Sequence, residues 1–142
     1  GNINVSRFGT KVAGCGGFID ISQNVKNIVF CGTFTAKGLE VEIRDGKIKI
    51  VKEGQSKKFI KNLQQVTFSG EVALENKKNV LFVTERAVFK LIDGGLLLTE
   101  YAPGIDIQKD IFEQMEFKPL IAEDLKEMDA AIFKDERMGL TF

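Results

Sequence analysis

Histidine and tryptophan are both absent from this 142-residue chain. Without histidine, the chain cannot by itself supply a Ser-His-Asp or Cys-His catalytic group. It also lacks the commonest protein ligand of zinc, copper and non-haem iron, so we expect no metal site. Only two cysteines are present, Cys15 and Cys31, and they form no C-x-x-C pair. We therefore expect reduced thiols in a cytoplasmic protein.

An excess of charge of one sign is also missing, because 20 basic residues balance 20 acidic ones. A neutral chain argues against a protein that binds nucleic acid by neutralising phosphates. No apolar run approaches the roughly 18 residues of a membrane-spanning helix. We therefore expect neither a nucleic acid nor a membrane as partner. The chain opens with Gly1 and not with methionine, and we expect one domain or a piece of a larger protein, with sequence missing upstream.

Two β-hairpins are predicted from alternating patterns on either side of glycine turns. Residues 39–44 alternate strictly, Asp45-Gly46 follows, and residues 47–50 alternate again. An Asp-Gly pair between two such runs is typical of a type I′ turn, because both central residues need a positive φ. The sequence Asp93-Gly94-Gly95 separates two further strand-like runs in the same way. The larger, first part of the chain is therefore expected to be rich in strands.

Continuous apolar runs predict two fully buried strands, at residues 28–31 and 80–83. Phenylalanine supplies 12 of the aromatic residues and tyrosine only one. Four phenylalanines of the first quarter are expected in the core, and not on a base-stacking surface, because no basic stripe accompanies them: Phe8, Phe18, Phe30 and Phe34.

Short helices are expected near the carboxyl terminus. Asp106 can cap a helix over residues 107–115, in which apolar residues recur every four positions. Asp124 can cap a second short helix, with Leu125 and Met128 facing inward. The predicted order is therefore strands first and helices last.

One segment has a pattern that suggests chemistry, the glycine-rich run 14–17, in which Gly14, Gly16 and Gly17 surround Cys15. Successive backbone N–H groups without side chains can form a concave site for a negatively charged oxygen, and a helix that starts there adds to the effect. Such a site can hold a phosphate or the oxyanion of an acyl transfer. It is neither a dinucleotide fingerprint, since Ile19 replaces the third glycine, nor a P-loop. From the pattern alone, a tightly packed turn is favoured.

Two other features have a structural interpretation that outweighs a catalytic one. Cys15 lies at a possible helix start, where a thiol can become nucleophilic, but no histidine is present to activate it. Burial is also the usual state of a free cysteine. Glu85-Arg86 stands between two apolar runs, where an ion pair at the end of a buried strand is favoured over a catalytic glutamate.

Longer segments carry a resemblance to a known family. They are distributed along the whole chain, at residues 1–9, 14–24, 30–35, 66–70, 83–89, 102–106, 115–119 and 128–133. In these segments the chain resembles the C-terminal region of family I coenzyme A transferases, above all the single-chain acetate/propionate CoA-transferase group. The resemblance implies the NagB/RpiA/CoA-transferase type of α/β fold. It implies that residues 1–142 are the C-terminal part of the second CoA-transferase domain.

The resemblance also implies a reaction, the transfer of CoA from an acyl-CoA to a small carboxylate. In that family a glutamate attacks the thioester and becomes a glutamyl-CoA thioester, with coenzyme A as substrate and no permanently bound cofactor. That glutamate belongs to a segment several tens of residues upstream of the glycine motif, so no glutamate of this chain is assigned the role. The implied partners are the absent upstream segment, the absent N-terminal domain and further copies in a homo-oligomer.

For the glycine motif, the resemblance favours function over a simple turn. A backbone N–H of Gly16 or Gly17 is then the candidate donor to the thioester oxyanion. By the same resemblance, Gly14 and Cys15 lie with them in the vicinity of the CoA thioester. Cys15 stands where the family often has a small residue such as alanine, so it implies no additional chemistry.

Two other functions fit the same scaffold. One is a non-catalytic binding or assembly domain, and the other is an acyl-CoA hydrolase with a similar glutamate. A glutamate in the upstream segment separates the enzymes from the binding domain, and labelled acetate with an acyl-CoA separates transfer from hydrolysis. In each case the chain alone is expected to be inactive.

Overall fold

The computed structural model describes residues 1–140, and its central element is a five-stranded mixed β-sheet. In chain order, the elements are β1 (Arg7–Phe8), β2 (Lys11–Val12), α1 (Phe18–Asn24), β3 (Asn27–Cys31), β4 (Thr35–Ala36), β5 (Glu40–Arg44), β6 (Lys47–Lys52), β7 (Ser56–Lys57), α2 (Gly70–Glu75), β8 (Asn79–Val83), β9 (Ala87–Ile92), β10 (Gly95–Tyr101), a π-helix (Ile107–Ile111), a 3₁₀-helix (Phe112–Gln114), β11 (Leu120–Glu127) and a second 3₁₀-helix (Ala130–Phe133). The central sheet has the order β11-β10-β9-β8-β3. The pairs β1–β2, β4–β7 and β5–β6 form separate two-stranded sheets.

Strand direction gives the central sheet two distinct ends. β3 runs parallel to β8, and β10 runs parallel to β11. β9 is antiparallel to both of its neighbours, β8 and β10. The strands β3, β8, β10 and β11 therefore finish at one end, here called the carboxyl end, and the β9–β10 turn lies at the other. In α/β sheets, ligands bind beyond the carboxyl ends of parallel strands.

Both predicted hairpins are confirmed. In the β5–β6 hairpin, Asp45 has a φ of 52° and Gly46 a φ of 74°, as a type I′ turn requires. Glu42 stands opposite Lys49, so unlike charges face each other across the two strands. The β9–β10 hairpin turns through Gly94, whose φ is 88°.

The prediction of two fully buried strands is wrong in its burial. Both segments are strands, but their side chains alternate between a buried and a partly covered face. Val80 and Phe82 are buried on β8, whereas Leu81 and Val83, which alternate with them, are only half-buried. Val29 of β3 is 55% exposed, because little of the described chain covers the sheet face on which it lies. A continuous apolar run therefore does not show by itself that both faces of a strand are covered.

The second predicted C-terminal helix is also wrong. Asp124 caps no helix but lies within β11, which pairs in parallel with β10. β11 pairs with β10 on both sides of a register shift that contains Asp124, and this tertiary pairing overrides a weak local helix signal. Met128 is nevertheless buried and Leu125 half-buried, so their predicted inward orientation holds.

The first predicted C-terminal helix is helical but irregular. A π-helical turn is followed by a 3₁₀ turn, in place of a continuous α-helix. The Asp106 carboxylate accepts a hydrogen bond of 2.9 Å from the Lys109 backbone N–H, which is the predicted cap. Ile111 and Met115 are buried. None of the helices within residues 1–140 is long and apolar enough to cross a bilayer.

Phenylalanines form much of the core. Phe34 is fully buried, and Phe18 and Phe30 pack against the buried cluster, as predicted. The prediction is wrong for Phe8, which is 57% exposed. Phe8 lies on the short β1–β2 hairpin, where the two-residue strands leave its ring uncovered.

Candidate functional site

The glycine loop, residues 14–17, lies at the carboxyl end of the sheet. Phe18, the first residue of α1, packs its ring on Phe30 with 5.9 Å between the ring centroids. Phe30 in turn contacts Phe82 at 5.5 Å. Both Phe30 and Phe82 stand one residue before the end of their strands, β3 and β8. Because Phe18 directly follows the loop, these contacts hold the loop where the two parallel strands end.

The backbone N–H groups of the glycine loop are free of hydrogen-bond acceptors within residues 1–140. The loop is closed instead by its carbonyls: the Cys15 carbonyl accepts from the Phe18 N–H at 3.0 Å, and the Gly17 carbonyl accepts from the Ile21 N–H at 3.0 Å. Gly14, Gly16 and Gly17 are exposed, and Cys15 is half-buried. The loop therefore presents donors and no competing side chains.

The three glycines of the loop have different local requirements. Gly16 has a φ of +51°, a left-handed conformation that favours glycine. Gly14 and Gly17 have no positive φ. A Cβ on Gly14 would meet no atom within 4 Å, and one on Gly17 would meet only Ile21 Cδ1 at 3.8 Å. Within the described residues the loop is therefore open, and neither packing nor backbone conformation explains glycine at positions 14 and 17.

A buried ionic group, here called the Arg86 cluster, lies at the same end of the sheet. It consists of Arg86, Glu85 and Glu53. The Arg86 side chain is 0% exposed, its Nε donates to Glu85 Oε1 at 2.7 Å, and its Nη1 donates to Glu53 Oε2 at 2.7 Å. Nη2 reaches the second Glu53 oxygen at 3.1 Å, and Nη1 also donates to the Asp110 carbonyl at 3.0 Å. The Phe34 ring packs on the guanidinium at 5.0 Å.

The cluster confirms one expectation and adds a residue that the sequence did not indicate. The predicted structural pair between Glu85 and Arg86 is present. Glu53 is 33 positions away in the sequence, and no local pattern connects it to Arg86. The β4–β7 pairing, which sets Ala36 opposite Ser56, places the intervening Glu53 beside Arg86.

Electrostatics keep the cluster charged. Burial alone would raise the pKa of Glu53, but hydrogen bonds from Arg86 and Thr35 and the Arg86 charge outweigh it and hold that pKa below its ordinary value. Burial alone would lower the pKa of Arg86, but hydrogen bonds to the two glutamates outweigh it and raise that pKa. With its lone pairs committed to these donors, Glu53 is poorly suited to act as a nucleophile or general base.

The two carboxylates also hold the backbone that leaves β3, residues 32–35. Glu85 Oε2 accepts from the Phe34 N–H at 2.8 Å. Glu53 Oε1 accepts from the Thr35 hydroxyl. Phe34 and Thr35 are fully buried, whereas Gly32 and Thr33 directly before them are exposed. The 32–35 turn and the glycine loop therefore both lie at the carboxyl end of the sheet. The turn is anchored by these two carboxylates, whereas the loop is open.

Known CoA-transferases match nearly the whole chain. No protein-family model matches it. The acetate CoA-transferase YdiF of Escherichia coli K12 is 54% identical over 98% of the chain, which covers 26% of that enzyme. A caffeate CoA-transferase of Acetobacterium woodii is 54% identical over 99% of the chain, which covers 28% of that enzyme. The chain is thus similar to about a quarter of each relative.

Solved structures give the same result for the fold. The E. coli O157:H7 YdiF acyl-CoA transferase, in a thioester complex with CoA, aligns with a TM-score of 0.97 and 53% identity over 99% of this chain and 28% of its own. Among the relatives compared by sequence, the acetate CoA-transferase subunit beta of Haemophilus influenzae is more distant, at 32% identity over 84% of this chain and 44% of its own length. The predicted α/β, CoA-transferase-like and strand-rich fold is confirmed.

Proposed function

We propose that residues 1–142 are the C-terminal part of the second domain of an acyl-CoA:carboxylate CoA-transferase. The observation that carries this proposal is the TM-score of 0.97 to a CoA-transferase solved as a thioester complex with CoA. The 54% identity to two enzymes named as CoA-transferases supports the same activity. The substrates would be an acyl-CoA and a small carboxylate, since YdiF is named for acetate.

In this proposal the glycine loop binds the reacting thioester. The backbone N–H groups of Gly16 and Gly17, which have no acceptor within residues 1–140, would donate to the carbonyl oxygen as it becomes negative. Gly14 and Cys15 would lie beside the CoA thioester. A thioester close to the loop would also account for glycine at positions 14 and 17, where the chain itself leaves open space. Preorganised donors of this kind are each worth about 10²–10³ in kcat.

The nucleophile in this proposal is a glutamate supplied from outside these residues. Its carboxylate attacks the thioester carbonyl, CoA leaves as the thiolate, and an acyl-glutamyl anhydride remains. The thiolate then attacks the glutamyl carbonyl, which releases the first carboxylate and leaves a glutamyl-CoA thioester. The acceptor carboxylate reverses these steps. Each attack creates an oxyanion that a preorganised N–H donor can stabilise.

The catalytic site would be completed by protein beyond this chain. The chain covers 26–28% of its full-length relatives. One relative is named as a subunit, which supports a site assembled from more than one domain or chain. We therefore propose an N-terminal domain, an upstream segment that carries the nucleophile, and a homo-oligomeric enzyme.

An isotope experiment on the full-length protein that carries these residues tests the proposal. Incubation with acetyl-CoA and labelled propionate should give labelled propionyl-CoA and free acetate. Mass spectrometry should find CoA attached to a glutamate upstream of residue 1. Release of CoA that does not require propionate would indicate a hydrolase, and absence of any turnover would indicate a binding domain.

The isolated 142-residue chain provides the matched control. It contains the glycine loop but not the proposed nucleophile, so it should acquire no CoA adduct from acetyl-CoA. Circular dichroism would establish that the chain is folded during the incubation. A CoA-sized adduct on this chain would contradict the assignment of the nucleophile to a segment outside it.

A further inference from the structure

The 32–35 turn has an exposed half and a rigidly held half. The Gly32 N–H donates to the Val83 carbonyl at 3.1 Å, so the β3–β8 pairing continues one residue beyond the strand. Gly32 and Thr33 are then exposed at the carboxyl end of the sheet. The next two residues, Phe34 and Thr35, are 0% exposed. Any displacement of the buried half therefore moves the exposed half.

Two carboxylates hold the buried half in place. Glu85 Oε2 accepts from the Phe34 N–H at 2.8 Å, and Glu53 Oε1 accepts from the Thr35 hydroxyl. Both carboxylates are oriented by Arg86, which donates to each of them at 2.7 Å. The Arg86 side chain is itself 0% exposed, so it cannot touch a substrate.

Stability alone does not require such a cluster. Replacing a buried ionic group by apolar side chains of similar volume is often neutral or stabilising. Apolar side chains cannot, however, accept the Phe34 N–H or the Thr35 hydroxyl. What the Arg86 cluster adds is a fixed position for the turn at the end of the sheet where the glycine loop also lies.

We infer that the Arg86 cluster is a positioning device that fixes the 32–35 turn as a second wall of the thioester site. Arg86, Glu85 and Glu53 are positioning residues, and they act through the backbone of Phe34 and Thr35. The inference rests on the proposed function, because it needs a substrate at the carboxyl end of the sheet. Misplacement of a site wall by about 1 Å can lower turnover by about 10²-fold.

A pair of substitutions at Glu85 in the full-length protein tests the inference. Glu85→Leu removes the acceptors for both the Phe34 N–H and Arg86 Nε, whereas Glu85→Gln can keep an oxygen for the Phe34 N–H and loses only the acceptor for Arg86 Nε. We expect kcat at saturating acetyl-CoA and propionate to fall by about 10- to 100-fold in Glu85→Leu. Glu85→Gln should retain a kcat well above that of Glu85→Leu, because the Phe34 N–H keeps its acceptor. A purely structural role would lower the thermal midpoint of both variants without separating their kcat values.

A matched control comes from the exposed pair of Lys52 and Glu40, which lie 3.0 Å apart. Glu40→Leu and Glu40→Gln remove the same charge from a surface site and should leave kcat unchanged. If the unsubstituted protein transfers CoA and Glu85→Leu does so at the same kcat, the inference is wrong and the proposed function stands. If the unsubstituted protein transfers no CoA, both are wrong.

Thr35 supplies a second test in case Glu85→Leu does not fold. Thr35→Val keeps the shape of the buried side chain but loses the hydroxyl that donates to Glu53, while Thr35→Ser retains it. The inference expects kcat to fall in Thr35→Val and to be largely kept in Thr35→Ser. Equal kcat values in the two folded variants would overturn it.

Discussion

The glycine loop and the Arg86 cluster lie at the same end of one sheet, but they differ in whether their hydrogen-bonding groups have partners. Within residues 1–140, the loop leaves the N–H groups of Gly16 and Gly17 unpaired and exposed. In the cluster, Arg86 makes four hydrogen bonds to two glutamates and a carbonyl. The described residues also leave no buried side-chain nitrogen or oxygen without a partner.

This contrast separates groups that can bind a substrate, the N–H groups of the loop, from groups that hold other parts of the protein in position, the side chains of the cluster. An unpaired, preorganised N–H can stabilise a new negative charge, because it need not first give up another partner. A buried guanidinium whose three nitrogens all have partners cannot act in this way, but it can fix the groups around it. Substitutions in the loop should therefore change turnover more than stability, and loss of Arg86 should reduce stability strongly.

The largest expected effect is the destabilisation caused by Arg86→Met. This change leaves Glu53 and Glu85 largely buried without their counter-charge, since their side chains are only 26% and 18% exposed. Breaking a buried ion pair by removing one partner costs about 3–5 kcal/mol, and residual solvent contact favours the lower end. Hydrogen exchange of peptides from β8 and β9 in the full-length protein should show the loss. Unchanged protection would mean that the carboxylates find other partners.

The sequence predicted these two sites unequally, for a physical reason. The glycine loop and the Glu85–Arg86 pair are each contiguous in sequence, so a pattern could reveal them. Glu53 enters the cluster through the distant β4–β7 pairing, and a single glutamate carries no signal of such a contact. The sequence also could not predict that the loop is open, because glycine is compatible both with a packed turn and with empty space beside the backbone.

The next effect concerns Gly17→Val in the full-length protein. The Gly17 φ is −78° and its surroundings are open, so the folded chain should accept the side chain at a cost below about 1 kcal/mol. The added methyl groups would occupy the proposed thioester position, and kcat should fall by about 10²-fold, the range found when an oxyanion donor is removed. Steady-state kinetics and a thermal melt measure the two effects. Equal losses of folding and turnover would mean that the loop is only a turn.

A smaller effect is expected from a comparison of two glycines, which separates the cost of backbone strain from a role in turnover. Gly16 and Gly94 have positive φ values of 51° and 88° and open surroundings, but they lie at opposite ends of the sheet. Alanine in a left-handed conformation costs about 1–2 kcal/mol, so Gly16→Ala and Gly94→Ala should lose similar stability. Only Gly16→Ala should also lose kcat, measured well below the melting temperature. A similar kcat for both would remove Gly16 from the proposed site.

The fold shows the same division between local and distant signals. Local turn chemistry predicted both hairpins, because Asp45 and Gly46 need only their own φ angles to be satisfied. The helix expected from Asp124 failed because β10 offers residues 120–127 a parallel partner that is remote in sequence. The prediction that Val29 is buried failed for a related reason, since coverage of an edge strand depends on elements that no local pattern describes.

The smallest expected effect is the acid dependence of the Arg86 cluster. The folded protein holds the pKa of Glu53 below its ordinary value of 4.5, because hydrogen bonds from Arg86 and Thr35 outweigh the effect of burial. The folded state therefore binds this proton less readily than the unfolded state. The resulting stabilisation is complete above about pH 4.5 and is lost as the pH falls through the lowered pKa.

Glu53→Gln, which carries no titrating carboxyl at this position, should therefore be less stable than the unsubstituted protein at pH 7, and the difference should shrink below about pH 4.5. Glu40→Gln is the matched control, because the Glu40 side chain is 59% exposed and its pair with Lys52 contributes little at any pH. Hydrogen exchange at pH 7 and near pH 3.5 measures both differences. A Glu53→Gln difference that stays constant over this interval would mean that the Glu53 charge is not what stabilises the cluster.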